Sequence, residues 1–191
     1  IVSQKSQYAE LAQFLEANNG QTSLEFRQKY AEQAFSVSSH YDTLIHRYFA
    51  SQHPYETFKE SYLQGEVLRY GENPHQKGFF YGDINEVFDI LNGKQLSYNN
   101  LVDIDAAVHL IGEFKDTTFA VLKHTNACGV ATKPTVVEAW KAALAADPVS
   151  AFGGVLITNA TIDEATATEI DKLFFEVLIA PNYDKDAIEI L

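Results

Sequence analysis

Lys123-His124-Thr125-Asn126 follows directly on the apolar run "TTFAVL", residues 117–122. A lysine at the end of a hydrophobic strand is awkward in a core and useful at a pocket. Its ammonium can bind an anion or stabilise developing negative charge. His124 titrates near neutrality as a residue type and can move a proton at working pH. The plain alternative is a solvent-facing loop with a hydrogen-bonded histidine. Cys128, four residues on, invites a metal or nucleophile reading, but a zinc site needs three or four ligands and the chain has no second cysteine. The H-x-E and P-C-x-x-C pattern of zinc deaminases is absent as well. A buried, inert thiol is expected.

Two further stretches hold chemistry-bearing side chains. In "LRYGENPHQ", residues 68–76, Gly71 and Asn73-Pro74 would suffice to turn the chain, yet Arg69, Tyr70 and His75 are added. Arg can clamp a phosphate through paired hydrogen bonds and Tyr can stack or donate, so this density of donors points to a bound anion. Ser150-Ala151-Phe152-Gly153-Gly154 precedes a strand-like run, and its glycines allow backbone to approach a ligand with N–H groups offered to a hydroxyl or phosphate. It is neither G-x-G-x-x-G nor a Walker A loop, and alone it reads as a turn. Most carboxylates, Asp103, Asp105, Asp163 and Glu164 among them, read as helix caps or solvated faces. Glu176 differs in opening the apolar run "VLIAP", where a partly buried acid could accept from a sugar hydroxyl or pair with a base.

The elements that must position these groups follow from periodicity. Tyr8, Leu11, Phe14 and Leu15 share a helical face that Asn18-Asn19-Gly20 ends. Thr22 with Glu25 forms a capping-box pattern for a second helix running through Phe49. His53-Pro54 marks a boundary. Short extended runs follow near Val67–Tyr70 and Gly78–Tyr81. A helix through Leu101, Ile104, Val108 and Ile111 leads to the strand "TTFAVL", the helix "PTVVEAWKAALAA", the strand "GGVLITN", the helix "DEATATEIDKLFF" and a last strand "EVLIAP". Strands alternating with helices predict a largely parallel sheet covered on its faces, with ligands at the strands' carboxyl ends. Gly129 is expected to give a tight turn out of the Lys123-His124 segment.

Composition sets outer limits. At 46% apolar residues, the 191-residue chain can bury a real core. A formal net charge of −12 argues against a general nucleic-acid binder, though not against a local basic pocket. No apolar run approaches a membrane span, and the single cysteine fits a reducing cytoplasm. The chain opens "IVSQKSQ" and has no methionine, so a piece of a longer protein is expected.

Taken in order, "TSLEFRQKYAEQAF", "RYGENPHQ", "GKQLSYNNLVDIDAA", "LKHTNACGVA", "DPVSAFGG" and "EVLIAPNYD" resemble the aminoimidazole carboxamide ribonucleotide (AICAR) transformylase/IMP cyclohydrolase family of purine biosynthesis. The resemblance implies that residues 1–53 are the helical C-terminal end of the cyclohydrolase part. Residues 54–191 would be the first cytidine-deaminase-like half of the transformylase, a layered α/β/α domain. It implies formyl transfer from 10-formyltetrahydrofolate to AICAR, with the parent also cyclising the product to IMP. No tightly bound cofactor, metal, nucleic acid or membrane is implied; the full-length parent would be a cytoplasmic homodimer. His124 would accept the proton and Lys123 would hold the intermediate's charge. Arg69, Tyr70, Phe152, Gly153 and Glu176 would bind the nucleotide, with Asn73, His75 and Asn126 in support. The alternative for the isolated chain is a nucleotide-binding or dimerisation module without turnover.

Overall fold

The computed structural model describes residues 1–51 and 57–191, so the boundary expected at His53-Pro54 lies outside the described residues. Two compact units emerge, Ile1–Glu66 with Phe80–Leu91, and Val67–Phe79 with Asn92–Leu191. Among the described residues no helix is long and apolar enough to cross a membrane.

In the first unit, α1 (Tyr8–Ala17) stops where Asn19 and Gly20 take φ of 52° and 78°, and the Gly20 amide donates back to the Leu15 carbonyl at 2.7 Å. α2 runs unbroken over Leu24–Ala50. Its cap is Ser23, whose hydroxyl accepts from the Phe26 amide, not Thr22 as the capping-box spacing suggested. Thr22 instead accepts from the Arg27 guanidinium through both its carbonyl and its hydroxyl. The two helices meet through stacked rings, Phe14 on Phe26 at 3.8 Å and Phe26 on Tyr30 at 4.5 Å. Beyond Tyr30, which is buried, the apolar side chains Phe35, Tyr41, Tyr48 and Phe49 of α2 lie exposed. β1 (Gly65–Val67) and β2 (Phe79–Tyr81) form a small two-stranded ribbon.

The second unit is a mixed α/β domain. α3 (Tyr98–Gly112) starts at Ser97, which exchanges hydrogen bonds with Asn100 in a reciprocal cap. Four strands follow, β3 (Thr118–Lys123), β4 (Asn126–Thr132), β5 (Gly154–Thr158) and β6 (Phe175–Ile179), ordered β4-β3-β5-β6. β3 runs antiparallel to both β4 and β5, and only β5 with β6 is parallel. The expectation of a largely parallel sheet is therefore wrong. Its source is β4, a hairpin partner that the sequence pattern does not announce; an extra strand reverses the direction of everything after it. Gly129 is accordingly not a turn residue but lies within β4, buried under α4 (Val136–Ala146).

Strand alternation divides the core between the sheet's faces. Phe119, Val121 and Leu156 join Trp140 and Ala143 of α4, and Ala167 and Ile170 of α5 (Glu164–Ile170), on one side. Ala120, Leu122, Val155 and Ile157 meet Ala107 and Ile111 of α3 on the other. A short α6 (Lys185–Ile190) follows β6, where the sequence pattern ended on a strand. Six residues are too few for a legible helical period.

Candidate active site

β3 is buried from Thr118 to Leu122 and emerges at Lys123, so the hydrophobic run delivers a cation to the sheet's edge. Lys123 pairs with Asn126, leaving His124 and Thr125 as the two central residues of the β3–β4 turn. Both take positive φ, 52° and 62°. That is the backbone a two-residue type I′ hairpin demands, normally supplied by Asn-Gly. For side-chain-bearing residues it costs roughly 1–2 kcal/mol each, and a β-branched threonine is a true outlier. Strain of this kind persists only where the surroundings hold it. Here the His124 carbonyl accepts from both Asn126 Nδ2 and Thr125 Oγ1 at 2.7 Å. The Thr125 amide donates to Asp103 Oδ1 of α3, also at 2.7 Å. The His124 ring is left in solvent at the tip.

The loop before β5 lies at the same edge, since Leu122 faces Val155 across the ladder. It is folded on Asp147, whose carboxylate accepts from the Ser150 hydroxyl at 2.6 Å and the Ser150 amide at 3.0 Å. The Ser150 hydroxyl, with the Ser150 amide behind it, holds the Asp147 carboxyl below the ordinary aspartate value. The loop's N–H groups do not form an anion cradle. Those of Ser150 and Ala151 serve Asp147, that of Gly153 reaches the Phe174 carbonyl at 2.8 Å, and that of Gly154 returns to Ala151. What the loop offers is a carbonyl, because Phe152 O accepts from Lys123 Nζ at 2.8 Å. Gly153 makes this possible with a φ of 70°. The Phe152 ring rests against Phe174, centroids 5.3 Å apart, and both rings are 57% exposed, an apolar surface beside the ammonium.

Arg69 and Tyr70 form a third group. Arg69 Nη2 donates to the Tyr70 hydroxyl at 3.0 Å, and the guanidinium carbon lies 4.8 Å from the ring centre. The guanidinium's hydrogen bond lowers the Tyr70 phenol below the ordinary tyrosine value, Ser97 adds to this, and the Glu176 carboxylate opposes it. Glu176 itself is exposed rather than partly buried. The backbone of the bend is fastened to the start of α3, with Arg69 N donating to Leu96 O at 3.1 Å and Tyr98 N to Tyr70 O at 3.1 Å. Asn73 closes the bend with Gln76 through backbone and side chain. His75 is exposed and takes no part in those bonds.

Lys123, His124, Asn126, Phe152, Gly153 and Glu176 thus gather at one edge of the sheet, while Arg69 and Tyr70 are fastened to the start of α3. Cys128 turns into the core, where burial pushes its thiol above the ordinary cysteine value. The described residues hold no cluster of three or more His, Cys, Asp or Glu side chains suited to a metal ion. A shallow depression lined by Asp116, Thr117, Thr132, Lys133 and Pro134 lies at the other end of β3 and β4, away from these groups. Asp103 and Phe174 are the participants that sequence reasoning missed. The first resembles any surface acid of an amphipathic helix, and the second the apolar end of one.

Comparison with known proteins bears on the whole chain. The "AICARFT/IMPCHase bienzyme" family matches residues 1–191. The chain is 58% identical over its full length to the bifunctional purine biosynthesis protein PurH of Bacteroides thetaiotaomicron, of which it covers 38%. It is 46% identical to the PurH protein of Rhizobium rhizogenes, with 96% of this chain and 36% of that one aligned, and 45% identical to that of Microcystis aeruginosa, with 100% and 39% aligned. The chain therefore spans well under half the length of these relatives. With a match that runs from its first residue to its last, it belongs to the AICARFT/IMPCHase bienzyme family.

Proposed function

We propose that this chain supplies part of the formyl-transfer site of a bifunctional purine-biosynthesis enzyme. Residues 54–191 would form the first cytidine-deaminase-like half of the transformylase and residues 1–53 the end of the cyclohydrolase part. The observation that carries the reading is the strained turn that presents His124 beside Lys123 at the end of a buried strand. A fold does not spend conformational energy on an exposed histidine without return.

In this reaction the 5-amino nitrogen of AICAR attacks the formyl carbon of 10-formyltetrahydrofolate. The carbon–nitrogen bond to AICAR forms, the bond to the folate N10 breaks, and the proton lost by the amine ends on N10 of the departing tetrahydrofolate. His124 is the proton acceptor, and Lys123 stabilises the negative charge that collects on the formyl oxygen in the tetrahedral intermediate. Arg69 faces the nucleotide phosphate, Tyr70 and Phe152 its rings, and Glu176 a ribose hydroxyl. Asn73 and Asn126 brace the loops that present them, and His75 stands exposed on the same bend as Arg69. The parent would work as a cytoplasmic homodimer on these two small molecules.

The test is His124→Ala in the full-length protein. Formyl transfer is expected to fall by about 10²–10⁴-fold, the scale of a general base, with cyclisation to IMP retained. Equal loss of both activities would mark a folding defect and remove support for the base. For the isolated chain, calorimetry with AICAR decides whether it binds nucleotide without turning it over.

A further inference from the structure

We propose that Asp103 is a positioning residue that sets the His124 turn against the Arg69–Tyr70 bend; this rests on the formyl-transfer reading above. In a two-residue hairpin the amide of the second central residue receives nothing from the strand ladder and is ordinarily left to water. Here that amide, Thr125 N–H, donates to Asp103 Oδ1 at 2.7 Å, a length typical of a bond to a charged acceptor. The bond holds the one residue whose conformation the turn tolerates least. Asp103 is half-buried on α3, a helix whose next turns, through Ala107 and Ile111, are locked against Ala120, Leu122, Val155 and Ile157. The start of the same helix holds the bend, through Tyr98 N to Tyr70 O and Arg69 N to Leu96 O. One rigid element therefore fixes both the proton acceptor's turn and the arginine's bend. A proton acceptor must lie within hydrogen-bond reach of its substrate, and misplacement of about 1 Å costs on the order of 10²-fold in rate.

The experiment uses the full-length protein with Asp103→Asn, Asp103→Ala and Asp103→Glu. Asn keeps an acceptor oxygen at the same reach and is expected to hold kcat within about threefold. Ala removes the acceptor and is expected to lower kcat by about 10–100-fold, with KM for AICAR little changed, because the groups that bind nucleotide are intact. Glu moves the oxygen by a methylene and should fall between, which keeps the comparison open where the Ala variant does not fold. Hydrogen exchange of the peptide spanning Thr125, read by mass spectrometry, should be faster in Ala and Glu than in the parent and unchanged in Asn. Unchanged exchange in both Ala and Glu would overturn the proposal, as would an Asn variant as slow as Ala, or faster exchange with an undiminished kcat. The exchange result stands whatever the reaction. Failure of the formyl-transfer reading would show separately, as full activity in His124→Ala.

Discussion

Lys123 Nζ donates to the carbonyl oxygen of Phe152 at 2.8 Å, joining the carboxyl end of β3 to the loop that leads into β5. The bond restrains a flexible side chain at the sheet's edge and costs the ammonium only one of its three donors. The other two remain available to an anion. The neighbouring N–H groups of Gly153 and Gly154 are spent on the Phe174 and Ala151 carbonyls.

On the proposed formyl-transfer reading, Lys123 stabilises charge that appears during the reaction. Lys123→Met in the full-length protein should lower kcat for formyl transfer by about 10²–10³-fold, the scale of losing one oxyanion donor, with AICAR affinity little changed. Lys123→Arg should restore little, since a planar fork cannot take the place of a compact ammonium against the same carbonyl. Steady-state kinetics with calorimetry on AICAR checks both. A variant that lost affinity while keeping kcat would make Lys123 a ground-state phosphate ligand instead.

Tyr70 offers a pH-dependent readout. Arg69 favours the phenolate by donating to it, so the folded phenol ionises below the ordinary tyrosine value. Ultraviolet titration of the protein minus its Tyr70→Phe variant should isolate that early transition. Arg69→Gln should move it upward, because the principal stabiliser of the phenolate is gone. Glu176→Gln should move it further down, because a carboxylate that opposes ionisation has been removed. An upward shift in Glu176→Gln would mean that its carboxylate does not oppose ionisation of the Tyr70 phenol.

How legible all this was in the sequence differed from element to element. α3 and α4 show the helical period plainly, and β3 is an apolar run ending in a cation, so the placement of Lys123 followed. β4 was hidden for two reasons. Its residues, "NACGVAT", are small and mixed, with no aromatic side chain and only Val130 and Thr132 branched at Cβ. Its turn is His-Thr, which carries no glycine or asparagine at a position that calls for one. That gap in the local rules is where the proposed proton acceptor stands, as expected when function overrides conformational preference. Asp103 was unreadable because its partner is a backbone amide 22 residues away in sequence.

The strain in the turn has its own test. At Thr125, with φ of 62°, glycine is conformationally at ease and keeps the amide that Asp103 accepts from. Thr125→Gly loses the hydroxyl bond to the His124 carbonyl but sheds the steric cost of a β-branched side chain. A net stabilisation of about 0.5–1 kcal/mol is expected, seen as a melting temperature higher by about 1–4 °C. A lower melting temperature would mean that the hydroxyl bond and the added freedom of the unfolded chain outweigh the strain.

Gly129 sits where α4 lies directly on β4, and a Cβ there would stand 2.0 Å from the Ala143 carbonyl oxygen and 3.1 Å from Ala146 Cβ. The first of these is backbone, so no rotamer change relieves it; helix and strand must part. Gly129→Ala should therefore cost at least the 1–3 kcal/mol typical of overpacking, in contrast to the mild effect of alanine at an unstrained glycine. The loss would reach the site as well, because β4 begins at Asn126, whose side chain braces the His124 carbonyl. Urea unfolding should show a lower midpoint with an unchanged slope. Formyl transfer should fall along with stability, and Ala143→Gly in the same chain should restore neither, since the obstructing atom is a main-chain oxygen. Wild-type stability in Gly129→Ala would mean that α4 is free to lift from the sheet.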